Sequence, residues 1–97
     1  MKKFATAGNK GKGVRSDCFI SIELCSQDGI SVEMVSKVKA LYGKQIEVEI
    51  KEMLNFFDIR HAKVAIEDSG AIPLVIAARM EACIKQLIQT EKEYLLP

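Results

Sequence analysis

The chain has no tryptophan, one histidine, two prolines and three cysteines in 97 residues, and aromatic side chains make up only 6% of it. Each shortage narrows what the protein can be. Without tryptophan, the core must be built from Ile, Val, Leu, Met and Ala, and a single domain this short needs nearly every apolar side chain for it. A zinc site using His61 with Cys18, Cys25 and Cys83 would draw ligands from three separate elements with no CxxC spacing, so none is expected. The odd cysteine count, with Cys18 and Cys83 on faces expected to be buried, reads as three reduced thiols. An excess of one charge is also missing: 14 Lys plus Arg stand against 13 Asp plus Glu, a net +1. That balance gives no general field for nucleic acid or an anionic membrane surface. No apolar run is long enough to span a bilayer, and MKKFATAGNKGKG lacks the hydrophobic segment of a signal peptide, so the expected location is cytoplasmic.

What is present is globular, at 48% hydrophobic residues. Residues 1–15 hold three glycines and four lysines with little to bury, and read as a flexible basic leader. From Asp17 the pattern has period two, with Cys18, Ile20, Ile22 and Leu24 on one face, which predicts a half-buried strand. SQDG at 26–29 is turn chemistry, and Ile30, Val32 and Met34 resume the alternation, so a hairpin is expected. Ser36 suits the cap of a helix whose apolar stripe is Val38, Leu41, Tyr42, Ile46, Ile50, Met53, Leu54 and Phe57, with a possible break at Gly43. QIEVEI at 45–50 alternates like a strand, but that reading strands Met53, Leu54 and Phe57 without a partner face, and the helix is preferred.

Ala62, Val64 and Ile66 mark a third strand ended by DSG at 68–70. Pro73 opens a final helix with the stripe Ile72, Ile76, Met80, Cys83, Ile84, Leu87 and Ile88, leaving Arg79, Glu81, Lys85 and Gln86 to solvent. The predicted fold is therefore α+β, order ββαβα: a two-layer sandwich of a three-stranded sheet, antiparallel if the third strand pairs beside the first, with two helices on one face. The carrier of that fold is a single domain over 16–90, followed by a tail at 91–97 whose YLLP end reads as frayed.

The inventory for self-sufficient catalysis is thin. His61, at a strand start, has no nearby serine or cysteine in sequence to activate and reads as a solvent-facing loop residue. Glu47 with Glu49, and Glu67 with Asp68, read as a solvated face and a turn. GNKGKG has no strand before it and no helix after it, unlike a phosphate-binding loop. There remains Ser16 in VRSD, where the leader meets the first strand: an exposed hydroxyl reachable by another protein. A phosphodiester attached there would carry negative charge that Lys10, Lys12 and Arg15 can partly offset. On the residues alone, a surface serine in a basic linker is the competing reading.

Two stretches carry a family resemblance. DSGAIPLVIAARMEA, residues 68–82, resembles the citrate lyase acyl carrier protein (gamma subunit) family through Asp68, Gly70, Ala71, Val75, Ile76, Ala78, Arg79, Glu81 and Ala82. Ser36, Val38, Tyr42, Gly43 and Ile46 are similar to a second family pattern, and TAG at 6–8 to the start of its leader. The likeness implies a non-catalytic carrier subunit. In it a leader serine, here Ser16, is joined through phosphate to 2'-(5''-phosphoribosyl)-3'-dephospho-coenzyme A, whose thiol carries acetyl and citryl units. The partners it implies are the alpha (transferase) and beta (lyase) subunits of citrate lyase and a prosthetic-group transferase, with no nucleic acid and no membrane. The family keeps one residue between its modified serine and the following aspartate, whereas Ser16 directly precedes Asp17, so a gapless comparison sets Arg15 at the attachment position. Ser21, mid-strand, and Ser26, in the turn, are weaker candidates. The alternative reading is an unmodified structural or regulatory subunit of the same fold that binds partner subunits through its helix faces.

Overall fold

The computed structural model describes residues 3–36 and 43–94. Its elements are β1 (Phe4–Gly8), β2 (Asp17–Leu24), β3 (Ile30–Ser36), α1 (Gly43–Phe56), β4 (Ala62–Ser69) and α2 (Pro73–Leu87). The strands form one sheet in the order β1-β2-β4-β3. The α+β class holds, but the sheet has four strands rather than three, and it is mixed rather than antiparallel: β1–β2 and β2–β4 are antiparallel, β3–β4 parallel.

The extra strand comes from the stretch read as leader. FATAG alternates, with Ala5 buried and Phe4 and Thr6 exposed, but its inward side chains are so small that the apolar signal is weak. Its pairing partner supplies what its own side chains do not: Ala5 sits opposite Ile22 and Ala7 opposite Ile20. The Gln86 side chain of α2 also donates to the Thr6 carbonyl at 2.9 Å, tying the edge strand to the helix layer.

The expected β2–β3 hairpin is absent, because β4 lies between the two strands. Parallel neighbours need a long crossover, and the segment through α1 provides it, returning the chain beside β3 as β4. Residues 25–29 then bridge two strand spacings, roughly 10 Å, well within the reach of five residues, at most roughly 17 Å. His61, read as a solvent-facing loop residue, is half-buried and pins this bridge. Its Nδ1 accepts from the Gly29 N–H at 2.8 Å and its carbonyl from the Cys25 N–H at 3.0 Å.

The inward faces of β2 and β4 meet in register, Ile20 against Ile66 and Ile22 against Val64, and β3 adds Val32 and Met34. Both helices cover that face, α2 over β1 and β2 and α1 against β3 and α2. In α1, Ile46, Ile50, Met53 and Leu54 are buried while Val48 faces out, the phase of a helix and not of the strand that QIEVEI imitates. Phe57 is buried just beyond its end. Val38, Leu41 and Tyr42 lie outside the described residues. Ser36, expected as a helix cap, instead ends β3.

In α2 the stripe holds from Ile76 to Leu87 with Pro73 in the first turn, but Ile72, assigned to that stripe, is 59% exposed. Cys18 and Cys83 are buried and all three thiols are free; burial pushes the Cys18 thiol up to about 12, so it stays neutral. The tail does not fray at Tyr94. Its ring stacks edge-on against Phe56 at 5.4 Å, and Lys92 pairs with Asp58 at 2.9 Å. Residues 95–97 lie outside the described residues. No described helix is long and apolar enough to cross a membrane.

Candidate functional site

Because β1 and β2 pair, residues 9–16 are not a loose leader but the loop of a hairpin, closed by the Asn9 N–H on the Cys18 carbonyl at 3.0 Å. Ser16 stands at the base of that loop. It is exposed, its φ is 56°, and its backbone N–H donates to the Ser69 carbonyl on β4 at 2.8 Å. A left-handed φ is uncommon outside glycine; here it turns the chain out of the loop and into β2. The three cations expected near Ser16 share its loop. Lys10 is turned over the outer face of the sheet, its Nζ 4.6 Å from the centre of the Phe19 ring, while Lys12 and Arg15 are exposed. Gly11 follows Lys10 over that face, its N–H on Glu67 Oε2 at 3.3 Å.

The next residue holds the platform. Asp17 Oδ1 and Oδ2 accept from Arg79 Nε at 3.0 Å and Nη2 at 2.8 Å, a two-point clamp across 62 positions of sequence. Asn9 Nδ2 adds a bond at 2.9 Å and the Cys18 N–H another at 2.7 Å. The Arg79 guanidinium and the Asn9 amide together hold the Asp17 carboxyl well below the usual carboxylate range. Arg79, expected to face solvent, thus ties α2 to the residue beside Ser16.

Since the folded-state value is depressed, the clamp's contribution is complete above the ordinary carboxylate value near 3.8 and fades as pH falls below it. Arg79→Met, which keeps an apolar stem, should cost about 1 kcal/mol at pH 6, a modest figure because the guanidinium is partly exposed. In urea denaturation the gap between wild type and variant should narrow as the pH is lowered from 6 toward 2. A gap independent of pH would show that the pairing is not what Arg79 contributes.

The C-terminal end of β4 forms the other half of the site. Asp68, buried, accepts at Oδ1 from the Gly70 and Ala71 N–H groups at 3.1 and 2.9 Å, and its Oδ2 accepts from Ser36 Oγ at 3.2 Å. It therefore fixes the turn into α2 and joins it to the end of β3. Above that turn lies a pocket of about 420 Å³, walled by the ends of β3 and β4 and the N-terminal turns of α1 and α2. Its lining is mostly apolar; Glu49 is part of it, and its Oε1 is buried with no hydrogen-bond partner among the described residues. Burial, and secondarily the charge of Glu52, push the Glu49 carboxyl up.

The pocket is the feature that sequence reading misses, since Glu49 looks like part of a solvated helix face. In the sequence Asp68 and Arg79 are matched family positions that read as a turn residue and a solvent-facing helix residue, with no sign of the bonds they make. Among the described residues, no group of three or more His, Cys, Asp or Glu side chains stands close enough to hold a metal ion.

Comparison with known proteins adds two findings. The family model described as malonate decarboxylase delta subunit, an acyl carrier protein, matches residues 2–87. Citrate lyase acyl carrier proteins are similar over most of the chain. That of Oenococcus oeni is 37% identical over 93 residues, 96% of this chain and 92% of that protein. That of Fusobacterium nucleatum is 32% identical over 79 residues, 81% of this chain and 84% of that protein. That of Lactococcus lactis is 38% identical over 66 residues, 68% and 69% respectively. No solved structure matches the chain.

Proposed function

Since the chain belongs to the family of malonate decarboxylase delta subunits and citrate lyase acyl carrier proteins, we propose that it is the cytoplasmic acyl carrier subunit of a citrate lyase type complex. On this reading Ser16 bears the group 2'-(5''-phosphoribosyl)-3'-dephospho-coenzyme A, and the partners are the transferase and lyase subunits and the enzyme that loads the group. The observation that carries the proposal is the placement of Ser16: an exposed residue, yet fixed through its backbone to Ser69 and through Asp17 to Arg79.

When bound, the group supplies a thiol on a long arm, on which acetyl and citryl units travel as thioesters. The protein's own residues do the rest. Ser16 Oγ is the single point of attachment, on an exposed residue that a loading enzyme can approach. The Asp17–Arg79 clamp keeps the anchor at one place on the domain, so a tethered acyl unit samples a limited volume and meets each partner active site at a high effective concentration. Lys12 and Arg15, exposed in the same loop, lie where they can meet the phosphates of the group. Lys10, held over Phe19, would have to leave that ring to join them.

Intact-mass spectrometry of the chain isolated from its native host tests the proposal. The expected result is a mass increment equal to the coenzyme A-derived group. An unmodified chain in an active complex would instead favour a structural or regulatory subunit that binds its partners without carrying acyl groups.

A further inference from the structure

The pocket above the β4–α2 turn has a chemical character that the fold alone does not require. Met34, Ile46, Ala71 and Ile76 give it apolar walls, and Glu49 lines it too, its Oε1 buried with no hydrogen-bond partner among the described residues. Buried polar atoms are almost always paired, so an unpaired one beside a cavity marks a place where a ligand's polar group can bind once the side chain turns toward it. The volume lies in the range of small-molecule sites. Its mixture of apolar wall and isolated acceptor suits a chain of methylene groups interrupted by amides better than a charged or purely aliphatic ligand.

The pocket is also beside the anchor. The Ser16 N–H bonds the Ser69 carbonyl, Asp17 bridges to Gly70, and Asp68 and Gly70 line the pocket. The backbone of Ser16 therefore lies about one strand spacing, roughly 5 Å, from the strand end that forms the wall.

Resting on the acyl carrier reading, we propose that this pocket receives the pantetheine portion of the arm anchored on Ser16, the Glu49 side chain turning into the pocket to accept from an amide N–H of the arm. The arm then has a resting place on its own domain, where its reactive end is withdrawn from water between visits to partner active sites. Tethering makes weak intrinsic affinity enough, because the arm stays at a high effective concentration beside its own domain. The raised Glu49 carboxyl fits the same picture, since it reflects a group that water solvates poorly.

Methyl NMR separates this proposal from the reading it rests on. In the chain isolated from its native host and shown by mass to be loaded, the Met34, Ile46 and Ile76 methyl signals should differ from those of the Ser16→Gly chain, while Met53 and Ile22 stay in place. A loaded chain whose changes are confined to residues 9–16 would overturn the pocket proposal and leave the carrier reading standing.

Titrating the unmodified recombinant chain with S-acetyl-pantetheine at millimolar concentration tests the pocket even if native loading fails. The expected result is the same three methyl shifts, weakened several-fold by Glu49→Ala. No response at those methyls would overturn the proposal. So would pocket shifts that appear only on addition of a partner subunit, since they would assign the site to a partner's side chain.

Discussion

Replacing Ser16 by glycine should give a folded chain that acquires no coenzyme A-derived group and supports no turnover when combined with its partner subunits. The separation of fold from loading follows from the backbone. At φ 56° a side chain adds strain that glycine avoids, so Ser16→Gly removes the hydroxyl without asking the loop to move. The bond from the residue 16 N–H to the Ser69 carbonyl and the Asp17–Arg79 clamp are untouched by it. Thermal denaturation should therefore match or slightly exceed wild type, while intact mass shows no increment and citrate cleavage by the reconstituted complex falls to background. Undiminished turnover from a complex containing this variant would sink the assignment of Ser16.

Gly8→Ala should do the reverse, breaking the platform while sparing the hydroxyl. Gly8 has φ +98°, and a Cβ placed on it would run into the Cys18 carbonyl and come within 3.3 Å of Arg79 Cδ. The backbone conformation and the collision add, and the atom struck is main chain that cannot step aside without parting β1 from β2. A loss of about 3 kcal/mol is expected, which for a domain this size lowers Tm on the order of 15 °C. Gly29 is the internal control: its φ is +70°, but nothing lies within 4 Å of a Cβ added there. Gly29→Ala should cost only the conformational preference, about 1 kcal/mol. Equal effects at the two positions would show that the close approach of Gly8 to Cys18 does not matter. Because Gly8 also abuts Arg79, its variant should blunt the pH dependence that the Asp17 pairing confers.

The elements that sequence reading recovers are those whose apolar side chains are large and regularly spaced. Cys18, Ile20 and Ile22 on β2, and Ile76 through Leu87 on α2, announce both their period and their buried face. In α1, weighing Met53, Leu54 and Phe57 against the alternation of QIEVEI selects the helix that is observed. Strand β1 escapes because Ala5 and Ala7 bury almost nothing of their own; their place in the sheet is set by Ile20 and Ile22 of the neighbouring strand, information that does not lie in FATAG. Sheet order escapes for a related reason. SQDG has the chemistry of a tight turn, and only the parallel return of β4 through the α1 crossover shows that it must be a bridge over a third strand.

The site divides along the same line. Ser16 is visible because it is isolated between a basic loop and a strand. Its support is not visible: Arg79 looks like any solvent-facing residue of an amphipathic helix until the hairpin brings Asp17 beneath it. Asp68 in DSG reads as a turn residue, and it is one, since its carboxylate accepts from Gly70 and Ala71. Its third bond, from Ser36 at the end of β3, depends on the sheet order. Glu49 gives the least warning, because its spacing from Glu47 and Glu52 suggests a charged face, whereas it lines the pocket and its Oε1 is buried.

The central claim is that Ser16 Oγ is the single covalent anchor of the arm. Fragmentation mass spectrometry of peptides from the loaded chain of the native host tests it most directly. The account predicts that every modified peptide carries the group on Ser16. Finding it on Ser21, Ser26 or Ser36, or finding Ser16 bare in a complex that cleaves citrate, would contradict it.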